Sequence, residues 1–158
     1  MRLQLSDLLR DRRNVELLSL LSDDPRLSTA ELARRVGMSA PAIRERILRL
    51  EEAGIIRGYR LDLDPAALGY PVSAYVRVRP TPGQLPRIAE LARSLPQIVE
   101  CHRVTGEDCF VLKLYLPSID DLDQILDRFL AFGQTTTSIV QSTPVPVRGL
   151  PLPGESEE

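Results

Sequence analysis

Apolar residues follow two different rhythms along this chain, and the change of rhythm divides it. Over about 11–22, Val15, Leu17, Leu18, Leu20 and Leu21 recur at helical spacing and predict a first helix with one buried stripe. Asp24-Pro25-Arg26 follows as a turn, because proline forces the residue before it out of helical geometry. Ser28-Thr29-Ala30-Glu31 matches a capping box, in which Ser28 accepts the Glu31 N–H and Glu31 reaches back to the N–H of Ser28. The short helix that follows turns Leu32, Ala33 and Val36 inward and ends at Gly37, suited to a left-handed terminal position. Ser39 caps a third helix over about 40–53. Pro41 sits in its first turn, where N–H groups have no helical partner. Ile43, Ile47 and Leu50 form its inner stripe and Gly54 stops it. Short helix, glycine turn and longer helix together make a helix-turn-helix.

Beyond it, Ile55 to Leu61 alternates loosely around Gly58 and reads as a strand of a small wing. Asp64-Pro65 through Gly69-Tyr70-Pro71 reads as one tight turn within a linker. From residue 72 the rhythm becomes strict alternation. Val72, Ala74, Val76 and Val78 face one way, while Ser73, Tyr75, Arg77 and Arg79 face the other. A helix over about 84–95 carries Leu85, Ile88, Ala92 and Leu95 on one face. Strands over 98–105 and 109–116 join across Gly106-Glu107-Asp108. A second helix, capped by Ser118, is marked by Ile119, Leu122, Leu126 and Phe129, and a strand over 135–147 closes the series. Pro144 and Pro146 place the end of that strand at an edge. The order is that of the ferredoxin-like βαββαβ fold, an antiparallel sheet with both helices on one face. The other face carries either Phe110, Leu112, Leu114 and Leu116, or Val111 and Tyr115, and that apolar surface predicts a covering second copy. The expected class is α+β. Residues 1–60 form a winged helix-turn-helix, 61–71 a linker, 72–148 the ferredoxin-like domain, and 149–158 a disordered tail.

Composition first argues against the obvious partner of a helix-turn-helix. The 158 residues carry 20 basic against 22 acidic groups, a net −2 that phosphates repel. Dividing the chain reverses this. Residues 1–60 hold twelve arginines against nine carboxylates, or +3, and the remainder carries −5. That asymmetry fits a nucleic-acid reader joined to a different module. No apolar run approaches a membrane span and the start lacks a secretory pattern, so a cytoplasmic protein is expected. Two cysteines, one histidine and one lysine leave no zinc set, no Cys-x-x-Cys and little amine chemistry, so neither cofactor nor metal is expected.

With Ile43 inward at about 100° per residue, Pro41, Glu45, Leu48 and Arg49 point outward, flanked by Ala42 and Arg44. Small residues at Ala40 and Ala42 let the helix start approach a groove, and arginine matches guanine edges or phosphates bidentately. Candidate contacts to double-stranded DNA are Ser28, Thr29, Ser39, Ala40, Pro41, Ala42, Arg44, Glu45, Arg46, Arg49, Arg57 and Arg60. Arg46 lies nearer the core edge, where it reaches either a backbone phosphate or the neighbouring helix. The alternative for the arginines is a solvated face paired with Glu45, Glu51 and Glu52. In the hairpin, Cys101 faces Leu112 and Cys109 faces Val104, a pairing that argues against an intrachain disulfide. His102 reads as a strand residue.

Over roughly residues 8–148 the chain resembles the Lrp/AsnC family of transcription regulators. The stretches that carry the resemblance are 32–39, 44–56, Leu63-Asp64-Pro65 with Leu68-Gly69-Tyr70, Val104-Thr105-Gly106 and 135–140. The resemblance implies DNA binding, a homodimer formed through the second domain, further assembly to an octamer, and an amino-acid effector. It places the effector between protomers, against Val104, Gly106, Glu107, Asp108, Cys109, Gln134, Thr135, Thr136 and Thr137. Turn N–H groups and threonine hydroxyls suit a carboxylate there, and Glu107 or Asp108 suits an ammonium group. Two departures bear on effector choice: Cys109 stands where many relatives have Asp, and the loop 132–135 is short. The same residues also fit a plain hairpin turn and edge strand. Sirohaem decarboxylases share this architecture, but their haem-like substrate is expected to need more histidine and basic side chains than this chain offers.

Overall fold

The computed structural model describes residues 7–153. After a short helical stretch over 7–10, the first unit is built on α1 (Arg12–Asp23), α2 (Thr29–Val36) and α3 (Ala40–Glu52). Leu17, Leu18, Leu21, Leu32, Val36, Ile43 and Leu50 make its core, and Leu17, Ile43 and Leu50 are fully buried. The caps fall where the sequence places them. Ser28 accepts the Glu31 N–H at 3.2 Å, Ser39 accepts that of Ala42 at 3.4 Å, and Gly37 adopts φ 68°, ψ 42°. The reciprocal half of the capping box is replaced, because the Glu31 carboxylate turns to Arg34 and Arg35.

The stretch expected as a wing strand carries none. The N–H groups of Ile55 and Ile56 return to the Leu50 carbonyl at 2.9 and 3.1 Å, so these residues finish the helix end. The chain from Arg57 to Asp64 is then irregular, without a ladder partner.

Residues 62–144 form the second unit, separated from the first between Leu61 and Asp62. It opens with the turn at Asp64-Pro65, where Asp64 accepts the Ala66 N–H at 2.9 Å and Tyr70 donates to the Pro65 carbonyl at 2.8 Å. Then come β1 (Val72–Pro80), α4 (Leu85–Ser94), β2 (Ile98–Arg103), β3 (Phe110–Leu116), α5 (Asp120–Leu130) and β4 (Gly133–Ile139). The sheet order is β2-β3-β1-β4, all neighbours antiparallel, so β1 and β3 are central. The fold is therefore α+β with the ferredoxin-like order. Ala74, Val76 and Val78 pack with Phe110, Leu112, Leu114 and Leu116 beneath Ile88, Ala92, Leu122, Ile125 and Phe129.

That packing settles which face is open. The whole Phe110 set goes to the helices. The other face carries Tyr75, Arg77, Val111, Lys113 and Tyr115, so it is polar and aromatic rather than broadly apolar. The last strand is also shorter than expected. It stops at Ile139, and residues 145–153 group with the first unit. Leu152 there is partly buried against the helical core, and a Cβ on Gly149 would come 2.7 Å from Ser22 Oγ. Leu152, about where the sequence expects order to end, thus packs in the first unit. An apolar Leu152 three residues beyond a glycine that permits close approach accounts for it. The rest of the tail lies outside the described residues.

Candidate functional sites

On the helix-turn-helix, α3 presents an outward strip of Pro41, Arg44, Glu45, Leu48 and Arg49, all exposed, with Ala40 and Ala42 half-buried beside it. The three arginines of this helix have different situations. Arg44 has no ion pair among the described residues. Arg49 pairs with Glu45 one turn back. Arg46 points to the neighbouring helix, where its Nη1 donates to Asp11 Oδ2 and Asn14 Oδ1, each at 2.6 Å. Asn14 is buried at 2% exposure, and its own amide donates to the Leu8 carbonyl at 2.8 Å. Of the two roles open to Arg46 in the sequence, the structure favours the bracket between helices, and its guanidinium leaves the outward set.

The remaining candidates on this unit spread around the strip. Ser28 and Ser39 use their hydroxyls as caps, Thr29 begins α2, and Arg57 and Arg60 are exposed in the irregular stretch after α3. Tyr59, which the sequence reading passed over, ties this stretch to α3 by donating to Glu51 at 3.4 Å. Burial, then the Glu51 charge, pushes its phenol up. Glu31 faces the Arg34 and Arg35 guanidiniums, whose hydrogen bonds hold its carboxyl down at about 2.

On the sheet domain the hairpin register is as read: Cys101 lies opposite Leu112, and the Val104 N–H donates to the Cys109 carbonyl at 2.9 Å. Both thiols are free, and Cys109 Sγ lies 3.7 Å from the Gly106 carbonyl. His102 is exposed beside Glu100 at 3.4 Å. The turn acids are occupied by residues the sequence reading did not connect to them. Glu107 pairs with Arg79, while Asp108 lies 3.6 Å from Arg77 and 3.8 Å from Arg79. Across β1, Gln134 is opposite Arg79 and Thr136 opposite Arg77, so these four share the open face. Thr135 and Thr137 pair with Val78 and Val76 and turn the other way, toward the helices. The predicted set is thereby divided: Glu107, Asp108, Gln134 and Thr136 come together around two arginines, and Thr135 and Thr137 do not join them.

Lys113 sits mid-sheet, its Nζ 5.9 and 5.4 Å from the Tyr75 and Tyr115 ring centres and 3.9 Å from Glu100. Burial opposes its charge, but Tyr115, Tyr75 and Glu100 outweigh it and hold the ammonium above its usual range. Among the described residues no three His, Cys, Asp or Glu side chains gather as a metal site, and no helix is long and apolar enough to cross a membrane.

Comparison with known proteins follows the same division. A winged helix-turn-helix DNA-binding model matches residues 10–57, and an Lrp/AsnC ligand binding domain model matches residues 73–150. The chain is 32% identical over 132 residues to the HTH-type transcriptional regulator LrpC of Bacillus subtilis, covering 84% of this chain and 92% of that protein. It is 41% identical over 106 residues to the leucine-responsive regulatory protein of Rhizobium meliloti, covering 65% and 68%. The solved structure of B. subtilis LrpC superposes with a TM-score of 0.80 at 32% identity, over 84% of this chain and 95% of that one. A Neisseria meningitidis transcriptional regulator solved as an L-Met complex gives 0.83 at 26% identity, over 89% and 96%.

Proposed function

The chain belongs to the Lrp/AsnC family of helix-turn-helix transcriptional regulators, and from that premise we propose that it reads specific DNA sites as a homodimer and answers to an amino-acid effector. It is a regulator and not an enzyme, as its relatives are. The observation that carries the DNA reading is the outward strip of α3, where Arg44 stands unpaired beside the small residues Ala40 and Ala42. An arginine so placed reaches guanine edges or phosphates without first breaking an internal bond. Arg49 joins it by leaving Glu45, an exposed pair that costs little to open. Ser39, Pro41, Ala42 and Glu45 complete the groove-facing set, with Ser28, Thr29, Arg57 and Arg60 toward the flanking backbone.

Dimerisation through the open sheet face brings two basic units to one palindromic site and shields Tyr75, Val111 and Tyr115. The octamer implied by the resemblance is a further step of the same reading, which native mass spectrometry tests directly. The L-Met in the Neisseria relative supports an amino acid as the effector class.

The test is binding of the full chain to its own upstream DNA. Arg44→Ala and Arg49→Ala are each expected to weaken binding by about 1–3 kcal/mol if they contact bases, or to lower the salt slope by about 0.9 if they contact phosphate. A double variant that binds as tightly as the unaltered chain refutes the assignment of α3.

A further inference from the structure

The open face holds a charge arrangement that resembles an occupied binding site. Arg77 and Arg79 stand two residues apart on β1, about 7 Å along one face of the sheet. β1 is paired on both edges, by β3 and by β4, so the two guanidiniums are carried on one of the two central strands of the unit. Their counter-ions come from the hairpin turn, where Gly106 adopts φ 109°. The two acids are not equivalent. Asp108 is largely covered, at 30% side-chain exposure, and lies 3.6 and 3.8 Å from the two arginines, beyond good hydrogen-bond length. Glu107 is 79% exposed and, among the described residues, is held by Arg79 alone. Gln134 and Thr136 flank the arginines on β4, and among the described residues neither side chain has a hydrogen-bond partner.

We propose that Glu107 is an internal stand-in for the effector's carboxylate. The effector is a zwitterion that takes Glu107's place on Arg79 and then holds the released Glu107 through its own ammonium group. This rests on the amino-acid reading above and names the groups that recognise it. Arg79 offers a fork of N–H donors and Glu107 engages it through one oxygen, so a carboxylate arriving from solution in fork geometry satisfies more of it. In the single chain an ion pair this exposed contributes little to stability and exchanges readily. The cluster has two guanidiniums and two carboxylates, so a ligand of zero net charge keeps it balanced, whereas a simple anion leaves Glu107 displaced and unpaired. Asp108 stays as the fixed counter-ion between the arginines, and Gln134 and Thr136 supply an amide and a hydroxyl to the incoming group.

The experiment titrates the full chain with each of the twenty standard L-amino acids by calorimetry, then with the 2-oxo acid of whichever responds. Arg79→Gln is expected to weaken the responding amino acid at least tenfold. Arg79→Lys, which keeps the charge and loses the fork, is expected to fall between. Glu107→Gln is expected to reverse the preference, weakening the amino acid and tightening the 2-oxo acid, because the plug and the ammonium partner disappear together. A responding chain that is indifferent to Arg79→Gln, or in which Glu107→Gln weakens both ligands alike, overturns this inference and leaves the amino-acid reading standing. An unaltered chain that answers to none of the twenty overturns that reading and this inference with it.

Discussion

Arg46 and Arg49 lie three residues apart on one helix, and the structure gives them different partners. Replacing Arg46 with alanine removes two 2.6 Å hydrogen bonds, to Asp11 and to Asn14. Asn14 is 2% exposed, so its side-chain oxygen is left buried without a partner, which costs about 1–3 kcal/mol. Asp11 is 38% exposed, so water replaces much of what it loses, and its share stays under about 1 kcal/mol. The sum is about 1–4 kcal/mol. Arg49→Ala on the same helix breaks only an exposed pair with Glu45, worth about 0.3–0.5 kcal/mol. The assay is equilibrium urea unfolding by circular dichroism, with hydrogen exchange reporting α1 separately from the sheet. Arg46→Ala should speed exchange in α1 and leave β1 and β3 unchanged. A double Arg46→Met, Asn14→Leu variant should recover most of the loss, since it removes both polar partners together. The pH dependence follows the same bracket. Hydrogen bonding from Arg46 holds the Asp11 carboxyl below its ordinary value of 3.8. A depressed acid stabilises the fold above that value, and the contribution fades as pH falls through the lower folded value. Arg46→Ala should remove that acid-side dependence. If Arg46→Ala costs no more than Arg49→Ala, the bracket is not structural and the reasoning fails.

Other perturbations test the remaining packing. Gly133→Ala places a Cβ on the Arg79 carbonyl and 3.0 Å from Pro80 Cα, and is expected to cost about 1–3 kcal/mol and speed amide exchange in β4; unchanged protection there refutes the contact. Phe129→Ala empties the centre of the sheet–helix core, where the ring is fully buried, and should lower unfolding stability by about 3–5 kcal/mol in urea. Glu31 should titrate by carboxyl NMR at about 2, so its support of α2 is complete above the ordinary 4.5 and is lost as pH falls toward 2. In an Arg34→Ala, Arg35→Ala variant the midpoint should return toward 4.5.

Sequence alone determined what is decided within a few residues. Ser28, Gly37 and Ser39 mark their helix boundaries because a cap is a contact three residues long. The hairpin places Cys101 opposite Leu112 because a short turn sets its register. The alternation from Val72 to Arg79 likewise shows that Arg77 and Arg79 share a face. Tertiary structure decided the rest. Whether Phe110 or Val111 meets the helices depends on which side of the sheet they cover, and alternation is blind to that sign. Arg79 meets Glu107, and Arg46 meets Asn14, across 28 and 32 positions of chain, through strand register and helix packing that no local pattern encodes. The return of Leu152 to the first unit is of the same kind. Local chemistry sets the elements. Their long-range pairing decides which arginines are held internally and which stay unpaired at the surface.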